Sequence, residues 1–118
     1  MEARIYAENP NNNFLPDTGK LYFYKYPPNN PNLRVETGVQ QGDEISIHYD
    51  PMIAKVVVKG RDRDEAIKRL DSALKELQVV GVTTNVPFIR KILGIEEFSA
   101  GNVDTGFIGV NREKVDDI

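Results

Sequence analysis

Polarity changes every few residues through the first half of the chain and then settles into a helical period. Residues 2–8 are a run of mixed polarity that predicts a strand, with Glu2 and Glu8 sharing the parity of Arg4 and hence its face. Asn9 to Gly19, rich in Asn and Pro, has the turn chemistry of a loop. The aromatic segment Leu21 to Tyr26 predicts a second strand, and Leu33 to Thr37 alternates with period two after a turn cluster at Pro27 to Asn32. Ile45 to Tyr49 and the β-branched run Ile53 to Lys59 read as further strands, separated from Thr37 by Gly38 and the turn at Gln41 to Glu44. Ala66, Ile67, Leu70, Ala73, Leu74 and Leu77 then recur at helical spacing. Asp62 with Glu65 resembles a capping box, and Gly81 is placed to stop that helix. Thr84 is expected to cap a shorter helix that tolerates Pro87 in its first turn and closes at Gly94. Phe98 and Asn102 to Val110 predict a last short strand. Strands first and helices second imply an α+β fold, an antiparallel sheet with two helices packed on one side.

At 118 residues the chain suits a single core, expected over residues 1–110 with a charged tail at 111–118. Its 40% hydrophobic and 28% charged content is that of an ordinary globular protein. Fifteen basic and eighteen acidic residues are interspersed, which argues against the clustered basic footprint of a nucleic-acid binder. The apolar runs fall short of a membrane span. With no cysteine and one histidine, His48, the chain has no thiolate nucleophile, cysteine-ligated metal or two-histidine mechanism. Chemistry here would rest on carboxylates, lysine, arginine or hydroxyls.

Motifs narrow this further. The glycines never form a phosphate cradle followed by lysine. Lys55 has a methionine nearby, like the modified lysine of carrier domains, but it sits inside a β-branched run rather than at a hairpin tip. It reads as a structural lysine at the solvent face of a strand. Arg4 is the sharpest candidate. An arginine on a strand is as a rule a solvated or ion-paired surface residue. It can also hold an anionic oxygen through parallel hydrogen bonds, with a charge that neighbours cannot remove. Asp50 could brace it from another strand. A domain that opens on such a charged strand is expected to continue something upstream.

The stretches Glu2-Ala3-Arg4-Ile5-Tyr6-Ala7-Glu8-Asn9-Pro10, Arg34-Val35-Glu36-Thr37-Gly38 and His48-Tyr49-Asp50-Pro51-Met52-Ile53-Ala54-Lys55 together resemble the C-terminal domain of biotin carboxylase. Asp62 to Ala66, Gly81 to Asn85 and Asn102 to Ile108 extend the resemblance in order along nearly the whole chain. Within the family, Glu-Ala-Arg-Ile-Tyr-Ala-Glu and Arg-Val-Glu-Thr-Gly-Val are most similar to the biotin-bearing α-subunit branch of the methylcrotonoyl-CoA carboxylases, with the propionyl-CoA and urea branches close by.

The resemblance implies ATP-dependent carboxylation of carrier-bound biotin by bicarbonate, within a ligase that acts in leucine breakdown. It implies that ATP and Mg²⁺ are bound mainly by an upstream ATP-grasp domain of the same polypeptide, so that the isolated chain is inactive. A biotin carrier domain and a carboxyltransferase subunit are the implied partners, with no nucleic acid and no membrane. The implied location is the mitochondrial matrix in a eukaryote or the cytoplasm in a bacterium. Arg4 falls on the family's catalytic arginine, which holds the biotin ureido oxygen as charge develops. Asp50 falls in the biotin pocket, and Asp104 and Thr105 fall where the family closes over the nucleotide. Arg34 matches an arginine at the bacterial subunit interface. The aromatic that accompanies it there is replaced in Pro31-Asn32-Leu33. A stand-alone β-rich interaction or scaffold module without catalysis is the alternative that the residues alone leave open.

Overall fold

The computed structural model describes residues 1–9, 13–46 and 52–101. Its strands are β1 (Glu2–Tyr6), β2 (Glu8–Asn9), β3 (Leu15–Pro16), β4 (Gly19–Lys20), β5 (Phe23–Lys25), β6 (Leu33–Thr37), β7 (Glu44–Ile45), β8 (Met52–Val58) and β9 (Gln78–Val80). The helices are α1 (Arg63–Glu76), α2 (Val86–Leu93) and the single turn α3 (Glu96–Ser99). The central sheet has the order β1-β8-β6, and all its pairings are antiparallel. The other strands among the described residues pair as two-stranded ribbons, β2-β3, β4-β7 and β5-β9.

Alternation along the three central strands creates two unlike faces. Ala3 lies opposite Val56, Ile5 opposite Ala54, and Val35 opposite Val56, and all of these are buried. Helix α1 closes over this face with Ala66, Ile67, Leu70, Ala73 and Leu74. On the other face Glu2 and Arg34 oppose Val57, while Arg4 and Glu36 oppose Lys55. Burying Ile5 completely is worth about 1.5–3 kcal/mol. A slip of one residue would forfeit that by turning Ile5 outward. Ile5 therefore fixes the register, and Arg4 follows to the open face.

The α+β class and the two packed helices are as the sequence implied, but several boundaries differ. The first strand ends at Tyr6, because the register shifts between Ile5 and Tyr6 and Ala7 turns into the core. Glu8 then pairs with Pro16 in a separate ribbon, so strand parity no longer relates it to Arg4. The expected loop from Asn9 to Gly19 thus contains β3, reached through Asn13 and Phe14 at φ 54° and 58°. The aromatic strand is shorter than expected, at Phe23–Lys25, and Ile45 ends β7. His48 and Tyr49 lie outside the described residues.

Helix α1 starts as the capping signal required, with the Asp62 side chain accepting from the Glu65 amide at 2.8 Å. The reciprocal bond is displaced: Glu65 accepts from the Arg61 amide instead, at 3.2 Å. Gly81 is not the helix stop. The chain becomes extended at Leu77, and Gln78–Val80 pair with β5. The N-cap position of α2 is Asn85 rather than Thr84, but the Asn85 side chain is engaged elsewhere and the Thr84 hydroxyl accepts from the Val86 amide at 3.3 Å. Phe98, expected in a strand, belongs to the turn α3 and packs under the Arg63 guanidinium, 4.7 Å above its ring. The remainder of that expected strand, Asn102 to Val110, is outside the described residues.

Candidate functional site

Among the described residues β1 is an edge strand, with no strand paired along one side of its backbone. Asn85 fills that side. Its Oδ1 accepts from the Tyr6 amide at 2.9 Å, its Nδ2 donates to the Arg4 carbonyl at 3.0 Å, and its own amide donates to the Tyr6 carbonyl at 3.3 Å. Among the described residues it is the buried polar side chain of the core. The start of α2 is thereby tied to the backbone of Arg4. Sequence reading assigned Asn85 no role, although an asparagine just before a helix is the type of residue that bonds to backbone.

With its backbone held, Arg4 presents a side chain that is 57% exposed. Its Nε donates to Glu2 Oε2 at 3.1 Å. This hydrogen bond and the Glu2 charge, with a smaller contribution from Tyr6, raise the Arg4 pKa further above its ordinary value. The guanidinium is therefore a permanent cation. Glu2 Oε1 faces Lys55 Nζ at 3.5 Å. Partial desolvation pushes the Glu2 carboxyl upward, but Arg4 and Lys55 outweigh it and hold the group below the usual carboxylate range. Lys55, read from the sequence as structural, is indeed ion-paired on the sheet face.

A groove of about 300 Å³ runs along the β1 edge. Glu2, Arg4 and Glu8 contribute to its lining, and Phe14, Phe88, Ile92 and Phe98 make it largely apolar. Phe14 meets Phe88 edge-on, with ring centres 4.8 Å apart. Burial raises the Glu8 carboxyl above its usual range. A larger hollow of about 390 Å³ lies between Asn32, Leu33, Val58 and α1, but Glu65 and Arg69 on its wall already pair with each other at 3.0 Å. It has no arginine comparable to Arg4 with a fixed, exposed fork.

Arg34 lies on the same open face as Arg4, two strands away, and pairs with Glu36 at 3.1 Å. Asp50, Asp104 and Thr105 lie outside the described residues. Among the described residues no group of three His, Cys, Asp or Glu side chains is arranged to hold a metal ion. No helix among them is long and apolar enough to cross a membrane. An exposed cationic fork beside an apolar groove suits a neutral ring that carries one oxygen able to become anionic.

The family profile described as the biotin carboxylase C-terminal domain matches residues 2–110. The chain belongs to the biotin carboxylase C-terminal domain family. It is 52% identical over 115 residues to the mitochondrial methylcrotonoyl-CoA carboxylase subunit alpha of Dictyostelium discoideum, covering 98% of this chain and 16% of that protein. The mitochondrial propionyl-CoA carboxylase alpha chain of Mus musculus is 44% identical over 109 residues, covering 92% of this chain and 15% of that protein. Among solved structures, the biotin carboxylase domain dimer of Hydrogenobacter thermophilus 2-oxoglutarate carboxylase, in complex with MgADP, ADP and bicarbonate, superposes with a TM-score of 0.92 at 32% identity. That match covers 99% of this chain and 26% of the other. The chain thus spans about a sixth of the length of the curated carboxylase subunits it matches, and its α+β arrangement is that of the biotin carboxylase C-terminal subdomain.

Proposed function

We propose that this domain works in the biotin carboxylase component of a methylcrotonoyl-CoA carboxylase-type enzyme in leucine breakdown, and that Arg4 stabilises the oxyanion of biotin there. The observation that carries this reading is the presentation of Arg4. Its backbone is pinned by Asn85, its Nε is held by Glu2, and its guanidinium is exposed at the β1 edge in a chain of this family. The greater identity to the methylcrotonoyl-CoA than to the propionyl-CoA subunit supports the finer assignment. In a eukaryote the location would be mitochondrial, as it is for both relatives, and in a bacterium cytoplasmic.

Carboxylation at a ureido nitrogen removes its proton and shifts negative charge to the ureido oxygen. A preorganised cation at that oxygen stabilises the charge as it forms. Arg4 has such a role in this reading, and Asp50 lines the same biotin pocket. Mg-ATP, bound mainly by an upstream ATP-grasp domain, supplies the activation of bicarbonate, while Asp104 and Thr105 close over the nucleotide. Arg34 contributes to contact between subunits. A carrier domain brings biotin, and a carboxyltransferase subunit passes the carboxyl group to the acyl-CoA.

In the enzyme that carries this domain, Arg4→Ala is expected to lower biotin carboxylation by about 10²–10³-fold, the usual consequence of losing one oxyanion donor. ATP affinity is expected to be retained, and a parallel loss of it would refute the role given to Arg4. Turnover with methylcrotonoyl-CoA in preference to propionyl-CoA in the same assay would support the finer assignment.

A further inference from the structure

Lys55 stands at the centre of β8, directly opposite Arg4 on β1 and Glu36 on β6. Two cations that face each other across paired strands repel. Glu2 relieves the repulsion by dividing its carboxylate between them. Oε2 accepts from Arg4 Nε at 3.1 Å, and Oε1 faces Lys55 Nζ at 3.5 Å. Lys55 is held from its other side by Glu36 Oε2 at 3.6 Å, and Glu36 Oε1 takes Arg34 Nε at 3.1 Å. Arg4, Glu2, Lys55, Glu36 and Arg34 therefore alternate in sign across all three strands. The side chain of Lys55, at 29% exposure, is the least exposed of the row.

Position in this row decides what each member can do. An exposed glutamate paired with a single arginine keeps its rotamer freedom, and such a pair orients little. A glutamate whose second oxygen is occupied by a central, half-covered lysine has lost that freedom. It offers Arg4 one oxygen, at Nε, and with the Tyr6 side chain as a second, weaker partner it sets the direction in which the exposed guanidinium points. Among the described residues the row itself sets three cations against two carboxylates, so that Glu2 is held between cations on both sides.

We infer that Lys55 is a positioning residue for the reaction: by gripping one oxygen of Glu2 it fixes the carboxylate that aims the Arg4 guanidinium at the biotin ureido oxygen. The inference rests on the oxyanion role of Arg4 proposed above. Lys55 does not touch biotin itself, and Glu36 steadies it from the far side.

The test compares Lys55→Met, Lys55→Arg and Arg4→Ala in the enzyme that carries this domain, with free biotin as the probe. Lys55→Met keeps the aliphatic stem and removes the charge. It is expected to lower kcat for biotin carboxylation by roughly 10-fold to 10²-fold, as misaimed groups do, while KM for ATP stays unchanged. Lys55→Arg, which keeps a cation over Glu2, is expected to recover most of the loss. In the 118-residue chain, Lys55→Met is also expected to speed solvent exchange of the Arg4 Nε proton measured by NMR. If kcat is unchanged in Lys55→Met but lost in Arg4→Ala, Arg4 acts without Lys55 and only this inference falls. If Arg4→Ala itself keeps full activity, the oxyanion reading falls and this inference with it. Should Lys55→Met misfold, Glu36→Gln decides: a lower biotin kcat supports the positioning role, and an unchanged one overturns it.

Discussion

Asn85 shows how a single side chain presents another. Its amide completes the edge of β1 at Arg4 and Tyr6, where no strand among the described residues pairs. Both bonds are partly buried, so removing the amide leaves a backbone donor and a backbone acceptor that water reaches poorly. Each such group costs about 1–3 kcal/mol when left unpaired. Asn85→Ala is expected to destabilise the chain by about 2–4 kcal/mol in urea unfolding. A change below about 0.5 kcal/mol would mean that water replaces the amide and that Asn85 does not hold the Arg4 backbone. From the sequence Asn85 was visible as part of a family motif. Its partners, about eighty positions away, were not.

At the scale of elements, the join between β9 and α2 decides where β9 sits. Gly81 has φ +125°, and a Cβ there would fall on the Lys20 carbonyl oxygen. The close approach lets Tyr22 donate to the Val80 carbonyl at 2.9 Å, so that β5 and β9 pair. Gly81→Ala would add backbone strain to a clash that only movement of the chain can relieve. The expected outcome is a loss of about 3 kcal/mol or more, read as a lowered Tm, and a Tm unchanged within error would show the approach to be slack. The same join explains why α1 was expected to continue toward Gly81. Leu77-Gln78-Val79-Val80 is too short a segment for periodicity to separate helix from strand, and pairing with β5 settles it. The start of α1 was legible because Asp62 and Glu65 act within one turn of each other.

On the scale of the whole molecule, the proposed function makes this chain one arm of a site. Its described residues present a fixed cation beside an apolar groove, and they hold neither an acidic cluster suited to a metal nor a glycine-spaced phosphate cradle. The 118-residue chain is therefore expected to show no saturable binding of Mg-ATP at millimolar concentration by chemical-shift titration, while the enzyme that carries it binds the nucleotide. Saturation by the chain alone would place the nucleotide site in this domain, and Asp104 and Thr105 would be the first residues to substitute.

The sequence by itself determined the class of fold, the family and the candidacy of Arg4, because these rest on local periods, capping signals and ordered motifs that need no distant partner. Tertiary structure decided what surrounds Arg4. Glu8, which strand parity put on the face of Arg4, pairs in another ribbon after the register shift at Tyr6 and reaches the Arg4 groove by that route instead. Lys55, which looked like an ordinary solvent-facing lysine, was brought between Glu2 and Glu36 by the pairing of three strands. Register across a sheet is set by the burial of residues such as Ile5, Val35 and Val56, and only their packing against α1 decides which charges meet on the opposite face.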